Sequence, residues 1–153
     1  MKKTFSIFAI LLILASCSSL RGKAEQAYLE YRKAWRDNKI SESVAYWHPA
    51  IIANNKEDII IKQQYVRDEL GDLAKTETIE ILGTKTLPTF VFSGAIFNDV
   101  IQLDVVIRIS KIENMSEKQM ELFAGGDSLI IRELVFLCEY DGHMKIIQSQ
   151  EKQ

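Results

Sequence analysis

Two side chains in this sequence have the chemistry and the surroundings to act as a general base. His48 lies between Trp47 and Pro49, where an imidazole at the mouth of an aromatic cavity would titrate near neutral pH. Asp104 interrupts the run Ile101-Gln102-Leu103-Asp104-Val105, and apolar neighbours would push its carboxyl pKa upward. Each also has a reading without chemistry. His48 can be a surface or helix-capping group, and Asp104 can face solvent, since it shares its parity with Gln102 and Arg108. The second histidine, His143, is 95 positions from the first and follows a turn directly. No Cys/His cluster, His-Glu-x-x-His helix or calcium-loop spacing occurs, so neither a metal nor a cofactor is expected. Gly125-Gly126 lacks the lysine and hydroxyl of a phosphate loop, and no Gly-x-Ser-x-Gly elbow is present.

The cysteines point elsewhere. Met1-Lys2-Lys3 places positive charge ahead of an apolar run from Phe5 to Leu14, which is too short to span a bilayer and has the form of an export signal. Leu14-Ala15-Ser16-Cys17 follows at the proper distance and resembles the lipobox of bacterial lipoproteins. That resemblance implies cleavage before Cys17, diacylglycerol on its sulfur and further acylation of the new amine, which together make a stable anchor. Ser18 in place of aspartate implies sorting to the outer membrane where the organism has one, on a periplasmic or a surface face. Residues 1–16 are therefore read as a signal peptide and 17–23 as a short lipid-anchored tether.

Removing the leader leaves 17 basic against 21 acidic side chains, a balance that gives no reason to expect nucleic acid as a partner. The remaining length suits one domain, taken as 24–150. With Cys17 lipidated, Cys138 is alone in the apolar run Leu134 to Cys138, so it reads as a buried small hydrophobe and no internal disulfide can form.

The elements that must position these groups follow from periodicity. Ala24, Ala27, Tyr28, Tyr31 and Trp35 recur at helical steps and predict a helix to about Asn38. A short second helix is expected over Ile40–Trp47, then a break at His48-Pro49. A third helix carries Ile59, Ile60, Gln63, Val66 and Leu70 and stops at Gly71. Strands are expected over 76–82, 88–93, 96–110, 129–140 and 143–148, the last two joined by an Asp141-Gly142 turn. Ser116 and Gln119 have capping-box spacing, so residues 115–124 read as a short helix, with a strand through 119–123 as the competitor. The sum is an α+β fold, about three N-terminal helices on a curved antiparallel sheet of four to five strands.

That order, with the aromatic first helix, the Asn38-Lys39 step into Ser-Val-Ala-Tyr-Trp and the closing hairpin ending His143-Met144-Lys145-Ile146-Ile147, resembles the nuclear-transport-factor-2-like superfamily. The resemblance spans about residues 24–149. It implies a cone with a pocket at its wide end, for which Tyr28, Tyr31, Trp35, Tyr46, Trp47, Tyr65 and Phe90 are the lining candidates, unless they fill the cone instead. The superfamily's enzymes pair an acid with a second acidic or histidine base, and that pair does not map onto this sequence.

Strand 129–140 is apolar on both parities, which fits either a sheet-to-sheet homodimer or a sheet curved enough to be buried on both sides. The expected role is a membrane-tethered, non-enzymatic binding or assembly module of the cell envelope. Besides the membrane lipid, its partner would be an envelope protein, a hydrophobic small molecule or a second copy. The alternative is a small isomerase, dehydratase or cyclase using His48 or Asp104.

Overall fold

The alternating stretch from Ile101 to Ile109, broken only at Val106, is the spine of the domain. The computed structural model describes residues 19–53 and 55–152. Cys17 and the leader lie outside the described residues, so the structure does not bear on the anchor. Ile101, Leu103, Val105, Ile107 and Ile109 are fully buried on one face of β2 (Ala95–Ser110). β2 is the second strand of an antiparallel sheet in the order β1-β2-β3-β4, with β1 at Thr78–Phe92, β3 at Ser128–Tyr140 and β4 at His143–Glu151. Leu137 lies opposite Ile101 and Val135 opposite Leu103, which extends the apolar face across β3. The fold is α+β, with four helices among the described residues preceding the strands and one short helix between β2 and β3.

The helices follow from their apolar stripes. α1 (Leu20–Arg36) buries Ala24, Tyr28, Tyr31, Ala34 and Trp35 against the sheet, and Ser19 caps it by accepting a hydrogen bond from the Gly22 N–H at 3.2 Å. The helix thus begins four residues before Ala24, and most of the segment expected as tether is its first turn. α2 is shorter than expected, Ile40–Val44, because Tyr46 to His48 leave the helix to pair with β4. The His48 N–H donates to the Ile146 carbonyl and the Ile146 N–H to the Tyr46 carbonyl, both at 2.8 Å, closing that stretch of an otherwise open sheet edge. Pro49 then opens a one-turn helix, α3 (Pro49–Ile52), since proline suits a first helical position where no N–H partner is needed. α4 spans Lys56–Leu70 and ends at Gly71, whose φ of 54° favours glycine. A 3-10 turn, Gly71–Thr76, leads into β1.

Two strand expectations, 76–82 and 88–93, are corrected to one strand. Gly83 and Pro88 do not end it. The register shifts between Ile81 and Gly83, a bulge that throws Leu82 outward, and Pro88 is tolerated because β1 is an edge strand. At the other hairpin Asp141 and Gly142 take φ of 50° and 76°, the pair of positive values that a tight two-residue turn demands. Residues 117–121 form the helix α5 (Glu117–Glu121) with a complete Ser116/Gln119 capping box, so the strand reading of 119–123 falls.

The sheet carries a core on each side. The helix face packs on α1, α2 and α4. On the reverse face Phe97, Val100, Phe136, Cys138, Ile147 and Ile51 form a second cluster, with Phe90, Phe92 and Leu87 against it. Both parities of β3 at residues 135–138 are therefore buried within one chain, Val135 and Leu137 on one side and Phe136 and Cys138 on the other. No helix among the described residues is long and apolar enough to cross a membrane.

Candidate functional site

Between α1 and the sheet lies a band of polar groups enclosed by apolar ones. Glu133 falls on the helix-facing parity of β3, opposite Val105, where alternation would otherwise put another aliphatic residue. Its carboxylate is satisfied there: the Tyr28 hydroxyl donates to one oxygen and the Ser149 hydroxyl to the other, the latter at 2.6 Å. Desolvation, then the adjacent Glu133 charge, raises the Tyr28 pKa, so the phenol stays neutral and remains the donor.

One turn along α1, Arg32 meets Glu77 at the entry to β1. The pair is bidentate, with Nε to Oε1 at 3.3 Å and a closer contact from the second guanidinium nitrogen, and the Glu77 side chain is wholly buried. The guanidinium lies 4.4 Å from the centroid of the Trp35 ring. Burial disfavours the Arg32 charge, but Glu77 outweighs that and raises its pKa on balance. Further round, the Ser43 hydroxyl donates to Gln63 Oε1 at 2.7 Å, and Gln63 Nε2 reaches the Tyr31 hydroxyl at 3.5 Å. Burial also raises the Tyr31 pKa. The Trp47 ring stands edge-on to Tyr31 at 6.4 Å. Its buried indole N–H is near enough to Tyr31 to oppose that rise slightly, yet lacks hydrogen-bond geometry and has no partner.

The seven aromatic candidates do not line one pocket. Tyr28, Tyr31 and Trp35 are buried in the helix-side core, with Trp47 beside them. Tyr46 faces a surface groove between α1 and the β3-β4 turn, where its hydroxyl donates to Glu30 at 3.3 Å. Tyr65 is 61% exposed on α4, because the buried stripe of that helix runs through Ile59, Gln63, Arg67 and Leu70. Phe90 lies on the reverse face, stacked on Phe136 at 4.4 Å, since the β1-β2 hairpin curls over that side.

Neither base candidate reaches the polar band. His48 caps α3: its Nδ1 accepts from the Ala50 N–H at 3.1 Å, so the ring proton of the neutral form sits on Nε2. Partial burial and the charge of Lys145 lower its pKa. Its ring is held edge-on by Phe97 and Tyr140 at 5.1 and 4.9 Å. Asp104 is on the reverse face, where Oδ2 accepts from Lys152 at 2.8 Å and Oδ1 is buried without a partner. Cys138 is buried in the second core, which pushes its thiol up to about 11. His143 is exposed at the start of β4, beside the turn. No group of three or more metal-ligating side chains is assembled among the described residues.

Sequence reasoning passed over Glu133, Glu77 and Arg32, the charged members of the band. One signal was present: Glu133 shares the odd parity of Leu129, Ile131, Val135 and Leu137, and a carboxylate within an apolar parity marks a buried, partnered acid. No family model, curated protein or solved structure matches this chain.

Proposed function

We propose that this chain is a non-enzymatic binding module of the cell envelope, tethered by lipid on Cys17 and presenting the outer face of α4 to a protein partner. The observation that carries it is the exposure of Ile61 and Tyr65, one helical turn apart and 65% and 61% accessible. Val66 beside them is also exposed, and a cluster of large apolar groups on a helix surface is characteristic of an interaction site. Lys118 of α5 lies 6.0 Å from the Tyr65 ring centroid, which adds a cation at the rim.

Two further features favour this reading over the pocket enzyme. The interior polar groups are engaged with one another, Tyr28 and Ser149 with Glu133, Arg32 with Glu77 and Ser43 with Gln63. His48 Nδ1 and Asp104 Oδ2 are each engaged outside that band.

The test uses the lipidated protein extracted from its host's membranes, with a photoreactive residue in place of Tyr65 and, as control, of Lys85 on β1. Intact mass should give a chain starting at acylated Cys17, and irradiation should join position 65, not 85, to one protein species. Ile61→Asp should abolish that product. An unmodified Cys17 would sink the anchor. Crosslinking indifferent to both position and Ile61 would sink the α4 interface.

A further inference from the structure

We infer that the tip of the β1-β2 hairpin, Thr89–Asn98, is a second membrane contact, an apolar wedge resting in the interfacial layer of the bilayer that holds Cys17. This rests on the anchoring reading above and goes beyond it, because it fixes which end of the domain faces the lipid.

The hairpin has two faces with different fates. Phe90, Phe92, Ala95 and Phe97 turn inward and cover the second core. Val91 and Ile96 are direct cross-strand partners on the other face, 66% and 69% exposed. Only position matters for such a pair, since scattered surface aliphatics are ordinary. Here, however, no charged side chain occurs anywhere from Thr86 to Asn98, so the tip carries no charge that would resist leaving water. Edge and tip strands of soluble proteins ordinarily carry such charges to prevent association.

The occupant is argued from where the anchor must be. Leu20, at the start of α1, lines one surface depression with Asn98, Asp99 and Glu139, so the base of the wedge and the beginning of the domain are neighbours. Lys23 reinforces this by reaching Glu139 at 3.8 Å. Cys17 is three residues before Leu20, a reach of roughly 10 Å at full extension. From Asn98 the strand to Gly94 adds about 13 Å at ~3.3 Å per residue. A domain leashed this closely to acyl chains cannot hold this end far from the headgroups. Tyr140, 46% exposed and packed on His48, which in turn holds Phe97, gives the same end an aromatic group suited to the interface.

The experiment places an environment-sensitive fluorophore at Val91→Cys in the full, lipidated protein reconstituted into phosphatidylethanolamine/phosphatidylglycerol vesicles. Lys75→Cys is the control, and the buried Cys138 is slow to label. The expected result is a blue-shifted emission at position 91, quenched by brominated lipid and shielded from aqueous iodide, with the reverse at position 75. Adding Ile96→Asp should abolish the lipid quenching. Iodide quenching at 91 equal to that at 75, in protein whose mass includes acylated Cys17, overturns the wedge and leaves the anchor standing. Lipid quenching at 91 in protein with unmodified Cys17 supports the wedge and removes the anchor. Zero-length crosslinking of position 91 between two copies, without lipid quenching, would assign the tip to a homodimer and also overturn the proposal.

Discussion

At the scale of single residues, the charges inside the domain are its most consequential choices. Glu77 has no solvent contact through its side chain and Arg32 is only 12% exposed, so Glu77 cannot fall back on water if its partner is removed. Breaking such a pair leaves an uncompensated charge, at a cost of about 3–5 kcal/mol, whereas replacing both partners with apolar groups is often close to neutral. Glu77→Ala is therefore expected to lower the thermal midpoint sharply, and Arg32→Met with Glu77→Leu to recover most of it, both read by circular dichroism melting. His48 makes a different, pH-dependent contribution. Its folded pKa lies below the ordinary value of 6.5, from partial burial and Lys145. The unfolded chain thus takes up a proton first as pH falls, so the stability that neutral His48 provides is complete above about 6.5 and is lost on descending through the folded pKa. His48→Asn retains a side chain able to cap α3 but cannot titrate. Melting temperatures measured from pH 7.5 to 5 should fall less for it than for the parent chain.

At the scale of elements, local rules held wherever one mechanism dominated. The Asp141-Gly142 turn needs positive φ twice, and few other residue pairs supply it, so the last hairpin was legible. The single strand β1 was not, because Gly83 and Pro88 punctuate most chains, and only its place at the sheet edge with a bulge makes them tolerable. Phe90 does not join the other aromatic groups because periodicity gives a face, not which of two cores that face meets, and Tyr65 lies off the buried stripe of α4 altogether. The short helix α5 was legible as an alternative through its capping box, but its purpose was not. Gln119 Oε1 accepts from the Ser116 N–H at 3.0 Å, while its Nε2 donates to the Glu69 and Leu70 carbonyls at 3.2 and 3.1 Å, closing the end of α4. One side chain thus caps the start of one helix and the end of another. Gln119→Glu keeps the first function and loses the second. It should cost roughly 1–2 kcal/mol by urea denaturation, and Gln119→Ala should cost more because both ends are left open.

At the scale of the whole molecule, one sheet shared by two cores should behave as one cooperative unit. Phe136 points from β3 into the reverse-face core, between Phe90 and the neighbours of Cys138, while Val135 and Leu137 on either side point into the helix-side core. A cavity at Phe136 therefore loosens the same strand that the other core requires. Phe136→Ala should cost about 3–5 kcal/mol, since an aromatic ring is lost from a site whose neighbours belong to a pleated sheet and relax little. If the cores are coupled, far-ultraviolet and near-ultraviolet circular dichroism will report a single transition, displaced downward by on the order of 10 °C. If the hairpin and α3 only cover an independently stable helix-side core, the helical signal and the near-ultraviolet signal, to which the helix-side Tyr28, Tyr31 and Trp35 contribute most, will both keep their original midpoint. Val91→Asp separates this from surface effects. Its side chain is outside both cores. The melt should therefore shift by no more than about 0.5 kcal/mol, so any change it makes at a membrane reflects the tip and not the fold.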